Sequence, residues 1–368
     1  MPRMQRLAIA LTVVAVLVAA PAAEAAKLPR APRGFYGVMW DRSAQHGSDE
    51  AQDAQWAFMR SSRVQSVRTV FSWAQIAPTA AGPDDYSEPD RQVASAARHG
   101  LRLLPVVLYT PHWARRYPSR QSSPPESAGD YASFMGRLAE RYGPNGFFWF
   151  EHPELPPRPI REWQIWNEPH FDFYWATPNG ANWAPQYVSL LRQAKQSIRT
   201  IDPHATIVLA AFADASWRVL ETAYKAGARG AFDVAAINIF TGRPGFVMAA
   251  VRLTRRVLRR HHNRRKPIWV TETTFPAAKG EVPPPELEWQ RRWYTTPTGM
   301  ARRLTELYAL GRKNARRLRL KRIYWYTWAS SYRGKDDLFD YSGLVKVDPD
   351  GTTTSQPALR AFRRSARR

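Results

Sequence analysis

Two glutamates in this chain sit where paired carboxylate chemistry would need them. One closes the run Trp163-Gln-Ile-Trp-Asn-Glu168-Pro169, the other the run Ile268-Trp-Val-Thr-Glu272. Each follows a short stretch rich in β-branched and aromatic residues, which reads as a strand ending in an acid. Two carboxyl groups facing one cleft are what cleavage of a glycosidic bond requires. One protonates the departing oxygen, and the other attacks the anomeric carbon or activates water. A lone strand-end glutamate is more often half of an ion pair, so the weight lies in finding two, both wrapped in tryptophan. Arg68 ends a further strand-like run, Val64–Phe71, and a guanidinium within a few ångströms of a carboxylate favours its ionised form. A plain structural ion pair is the alternative reading for Arg68.

Other chemistries find no support. With no cysteine in the sequence, disulfides, thiolate metal sites and a cysteine nucleophile are excluded. No His-Glu-x-x-His or acidic calcium loop occurs, and His261-His262 are adjacent on a helix and point to different faces. No metal and no cofactor is expected.

Eight strands are predicted, near 35–40, 64–71, 101–108, 161–166, 206–211, 232–239, 267–272 and 321–327. Between them run amphipathic helical patterns. Asp130 is expected to cap a helix with the apolar face Tyr131, Phe134, Leu138 and Tyr142, ended by Gly143. Tyr187, Leu190, Leu191, Ala194 and Ile198 form a second stripe, while Gly100 and Gly227 follow two further helices. This alternation has the rhythm of a single α/β domain, a (β/α)8 TIM barrel over residues 33–365. A doubly wound sheet would need a G-x-G-x-x-G turn after its first strand, which Gly34–Asp41 lacks. In a barrel the C-terminal strand ends form the active face, so Glu168 and Glu272 would meet there from nearly opposite strands.

The motif Trp-Gln-Ile-Trp-Asn-Glu-Pro resembles the acid/base segment of the clan A glycoside hydrolases, and Pro267-Ile-Trp-Val-Thr-Glu272 resembles their nucleophile strand. The similarity is greatest to the β-xylosidase-like family 39 and the cellulase-like family 5. It implies a retaining mechanism with Glu168 as acid/base and Glu272 as nucleophile. It also implies Asn167 bonded to the sugar hydroxyl beside the anomeric carbon, and Arg68 beside the nucleophile holding its pKa down. Trp328, or else Trp325, is similar to the eighth-strand tryptophan that floors the sugar subsite. Trp113 and Trp175 lie just past predicted strand ends, where an indole face could stack on a sugar, and His112 is placed to touch substrate. One departure stands out: the sixth strand usually ends His-x-Tyr, and here Asn238 and Phe240 hold those places. Tyr326 or a loop tyrosine would have to supply the missing hydroxyl. The departure keeps open an alternative, a non-catalytic barrel that binds glycan.

The chain's 368 residues carry a net charge of +23. Residues 252–368 hold 28 Lys or Arg against 10 Asp or Glu, with runs at Arg252–Lys266 and Arg312–Arg322. A solvated face in an arginine-rich protein is one reading. Electrostatic association with an anionic cell-wall polymer is the other, and would place Arg252–Arg265 on an exposed flank. No nucleic-acid recognition motif is present. Arg3 and Arg6, the apolar stretch Leu7–Ala20 and Ala23-Glu24-Ala25 read as a secretory signal peptide over residues 1–25, with an uncleaved anchor as the alternative reading. The expectation is a secreted protein with no membrane-spanning segment in its mature part.

Overall fold

A computed structural model describes residues 28–40, 48–286, 288–332, 337–348 and 350–367. The predicted signal peptide lies outside these. Eight strands are present where eight were predicted: β1 (Tyr36–Met39), β2 (Ser66–Ser72), β3 (Arg102–Leu108), β4 (Glu162–Ile165), β5 (Thr206–Val208), β6 (Ala235–Asn238), β7 (Ile268–Thr273) and β8 (Leu320–Trp325). They form one sheet in the order β5-β4-β3-β2-β1-β8-β7-β6. Parallel bridges Val208↔Val234 and Phe212↔Ile237 join its two ends. The sheet is thereby closed into a (β/α)8 barrel.

Helices cover the outside through the stripes read from the sequence. Tyr131, Phe134, Leu138 and Tyr142 are buried on the helix Ala128–Tyr142. Tyr187, Leu190, Leu191, Ala194 and Ile198 are buried on Trp183–Ile201. The cap of the first is Ser127 rather than Asp130, because the Ser127 side chain accepts from the backbone N–H groups of Gly129 and Asp130. Gly100 and Gly227 do end helices, with φ of +69° and +91°.

The lumen is filled by large side chains, several of them polar. Arg322 on β8 pairs with Glu162 on β4 through two contacts of 2.5 Å, and its guanidinium lies 4.0 Å over the Trp269 ring. Tyr324 reaches Ser66 at 2.9 Å. Gly37 makes room for it: a Cβ there would lie 2.5 Å from the Tyr324 ring. This plug closes the barrel from one end and leaves the C-terminal strand ends open.

The basic helix departs from expectation. It spans Pro244–Arg260, and Arg255 is buried instead of lining an exposed flank. Its Nε and Nη2 donate to the Leu318 carbonyl at 3.0 and 2.8 Å, and Nη2 also donates to Lys266 O at 2.8 Å. Leu318 ends the neighbouring helix Pro297–Leu318, so Arg255 caps carbonyls that have no other helical partner. Arg312 and Arg322 are buried too. Part of the basic excess is therefore internal scaffolding. Arg255→Gln should lose about 3 kcal/mol of stability from stranded buried carbonyls, whereas the exposed neighbour Arg256→Gln should stay within about 0.5 kcal/mol. Thermal denaturation of the two variants side by side measures the contrast.

Candidate active site

The C-terminal ends of the strands bring Arg68, Asn167, Glu168, Asn238 and Glu272 together in one hydrogen-bonded set. Arg68, on β2, is 1% exposed. Its Nη1 contacts Glu272 Oε1 at 2.5 Å, Nη2 donates to Asn167 Oδ1 at 2.8 Å, and Nε donates to Gln164 Oε1 at 2.6 Å. Across the site Asn238 Nδ2 donates to Glu168 Oε1 at 2.6 Å, with its own Oδ1 held by the Thr271 hydroxyl at 2.9 Å. The chain of contacts runs Glu272–Arg68–Asn167–Asn238–Glu168, although the last Asn–Asn link is long at 3.4 Å. Every member is at most 8% exposed.

Local backbone geometry aims these groups. Trp166 and Glu168 take φ of +68° and +42°, a left-handed conformation that costs non-glycine residues about 1–3 kcal/mol each. The Glu168 N–H bonds Ala211 O at 3.0 Å, and Trp166 Nε1 donates to Tyr174 O at 3.0 Å. The motif is thus pinned from both sides with its carboxyl turned inward.

Burial governs the protonation of the pair. Glu168 is pushed up to about 8, first by desolvation and then by repulsion from Glu272, against the Asn238 hydrogen bond. Glu272 is also raised above the ordinary carboxylate value by burial, with the Arg68 charge and hydrogen bond pulling it back. This corrects the expectation that Arg68 would hold Glu272 low: full enclosure outweighs one guanidinium. The partners still set the order. Glu272 is ion-paired directly to Arg68, whereas Glu168 is bonded by the Asn238 amide and feels the Arg68 charge without contact, so the pair's first negative charge is favoured on Glu272.

Both carboxyls open into a cavity of about 490 Å³. Met39, Val70, Val106 and Leu108 line it with aromatic rings from Tyr109, Phe173, Tyr174, Phe240, Tyr326 and Phe339. Among the described residues no tryptophan lines it. Trp328 is fully buried and donates its indole N–H to Gln55 at 2.9 Å. Trp175 packs edge-on against Trp166, and Trp325 bonds Ser342 O. Trp113 is partly exposed but donates to Ala77 O and packs on Trp73. His112 is exposed on a one-turn helix. None of the four predicted side chains Trp328, Trp175, Trp113 and His112 reaches the cavity. Tryptophan is large enough to brace the strand ends from behind, and here it does so.

Gln164 and Tyr174 were not among the predicted site residues, and the partner of Asn238 was not foreseen. Gln164 orients Arg68, and its only signal is a polar residue amid the apolar strand Trp163–Ile165. Tyr174 has a phenol raised by burial and by the negative charges of Glu272 and Glu168, so it stands near both. Asn238, the residue that departs from the sixth-strand pattern, donates to Glu168 instead of leaving a gap there. Among the described residues no cluster of three His, Asp or Glu could hold a metal ion.

No protein-family model and no curated protein matches this sequence. Solved structures do resemble it. A monomeric β-xylosidase from Caulobacter crescentus superposes with a TM-score of 0.65 at 17% identity, over 91% of this chain and 69% of that one. A family 39 glycoside hydrolase from Bacteroides cellulosilyticus gives 0.63 at 15% identity, over 91% and 64%. A family 1 β-glucosidase from Thermotoga maritima gives 0.65 at 11% identity, over 93% and 99%. The likeness is one of fold. This chain spans about two thirds of the length of the first two.

Proposed function

We propose that this protein is a secreted, retaining glycoside hydrolase of the clan A type, its catalytic unit spanning residues 33–365, acting on a β-linked oligo- or polysaccharide. The observation that carries the reading is the asymmetry of the two carboxyls within one cavity. Glu272 is ion-paired to Arg68, whereas Glu168 accepts from the neutral Asn238 amide and is pushed up to about 8 by burial. Glu168 gives its proton to the leaving oxygen as Glu272 attacks the anomeric carbon. Glu168, now ionised, then takes a proton from the water that hydrolyses the glycosyl-enzyme. Arg68 supports both the attacking carboxylate and Asn167, whose amide is placed to meet a sugar hydroxyl. The rings of Phe173, Tyr174, Phe240 and Tyr326 offer faces to the C–H surfaces of a sugar. The glycosidase structures it resembles share the barrel that supports this chemistry. A glycan-binding barrel without catalysis would have no use for two buried, mutually repelling carboxyls.

The test is release of aglycone from aryl β-glycosides as a function of pH. Turnover needs Glu272 ionised and Glu168 protonated. Both are raised, so kcat/KM should already fall on the acid side at a pH above the ordinary carboxylate range, and fall again as pH rises through about 8. A purely binding barrel releases no aglycone at any pH.

A further inference from the structure

Opposite the active face, the N-terminal ends of the strands carry a surface that the hydrolytic reading does not use. A recess of about 820 Å³ there is lined by Arg30, Arg33, Arg60, Arg102, Arg158 and Arg367 and by no carboxylate. A second of about 750 Å³ adjoins it through Arg30 and Pro32, and adds Lys313, Arg316, Arg317, Arg319 and Lys321, again without a carboxylate. The placement follows from topology. Arg33 precedes β1, Arg60 ends the helix leading to β2, Arg102 opens β3, Arg158 precedes β4, and Lys321 lies at the start of β8. Asp53 is engaged by Arg98 and His99, Asp202 by Arg161, Asp233 by Arg199 and Glu162 by Arg322, while the exposed Glu151 and Glu154 contact Arg141 and His152.

Two further features share this end. The connection between the helix Ala128–Tyr142 and β4 holds a short helix, Phe147–Glu151. From it Phe147 and Phe150 project 63% and 72% exposed. The first described residues also lie here, with the Leu28 and Pro29 carbonyls accepting from Arg312.

We propose that this face docks the protein on a lipid bilayer bearing anionic headgroups, leaving the catalytic mouth turned away from the surface. Guanidinium forks suit headgroup phosphates bidentately. Their spread over the ends of five strands suits a plane, and exposed phenylalanines are the residues that enter the acyl boundary. A soluble anionic wall polymer, one of the two readings of the basic excess, would use the arginines but has no use for the phenylalanine pair. The cations and both rings belong to the barrel, so the docking does not require residues 1–25.

The experiment is co-sedimentation of the full chain with phosphatidylglycerol/phosphatidylcholine vesicles and with phosphatidylcholine alone, their difference cancelling any contribution of the apolar stretch. Binding should require the anionic lipid and weaken with salt. The combined variant Arg33→Gln, Arg60→Gln, Arg102→Gln and Arg158→Gln should lose about a hundredfold or more in affinity while keeping its melting transition. Phe147→Ser with Phe150→Ser should weaken binding as well. Arg252→Gln with Arg256→Gln, exposed cations on a barrel flank, should change little. Undiminished vesicle binding by the fourfold variant overturns the proposal. So does retention of the wild-type chain by soluble polyphosphate with no sedimentation on either vesicle.

Discussion

Glu272→Gln should abolish turnover of every glycoside, whatever its leaving group. The amide that replaces the carboxylate is neutral and weakly nucleophilic, and of the other carboxylates lining the cavity, Glu168 and Asp340, neither is ion-paired to Arg68. The expected loss in kcat is about 10⁴-fold or more, the scale seen when a nucleophile is removed from a preorganised site. A stability cost should accompany it. Arg68 is 1% exposed and would keep only neutral partners in Gln164, Asn167 and the new amide. Stranding a buried charge costs about 3–5 kcal/mol, so the variant should melt lower. Residual activity must therefore be read at a temperature where circular dichroism shows it folded. Folded Glu272→Gln with near-normal kcat would refute the assignment.

Glu168→Gln should behave differently, because an acid matters only as much as the leaving group needs a proton. Hydrolysis of glycosides with poor leaving groups should fall by about 10²–10⁴-fold, the usual contribution of general acid catalysis. Formation of the glycosyl-enzyme from dinitrophenyl glycosides should be little affected. The intermediate should then accumulate, since no base remains to activate water. Azide needs no base, so it should restore turnover and yield a glycosyl azide of retained β-configuration. Folding should be unharmed, because the Gln oxygen can still accept from Asn238 and a buried carboxyl raised to about 8 no longer has to be accommodated. Equal losses on activated and unactivated substrates, with no azide rescue, would remove Glu168 from the acid/base role.

The barrel was legible because its signals are local and repeated. Each β-branched run ends near a polar residue, and each helical stripe recurs at helical spacing, so all eight strands lie where predicted. The two glutamates were legible for the same reason, as residues placed at strand ends. What surrounds them was not. Whether a tryptophan past a strand end turns into the cavity or behind it depends on backbone angles such as the φ of +68° at Trp166, and sequence pattern does not encode these. Trp328 and Trp175 consequently brace the site, while Phe173, Tyr174 and Phe339 from loops line it. The pKa of Glu272 depends on how completely packing excludes water, a property of the assembled fold, and enclosure reversed the direction that Arg68 alone would impose. Arg255 shows the same limit at a distance: its place in a basic run suggests solvent, and only the crossing of two helices makes it a cap.

A retaining mechanism requires Glu272 to form a covalent bond to the sugar while Glu168 handles protons. Incubation with 2-deoxy-2-fluoro β-glycosides carrying a dinitrophenyl leaving group tests that most directly, because the fluorine slows hydrolysis of the intermediate more than its formation. Intact-mass and peptide mass spectrometry should show one added fluoroglycosyl unit on the peptide containing Glu272, with loss of activity in step with labelling. Hydrolysis of the parent substrate to a product of inverted configuration, with no adduct on Glu272, would contradict the mechanism.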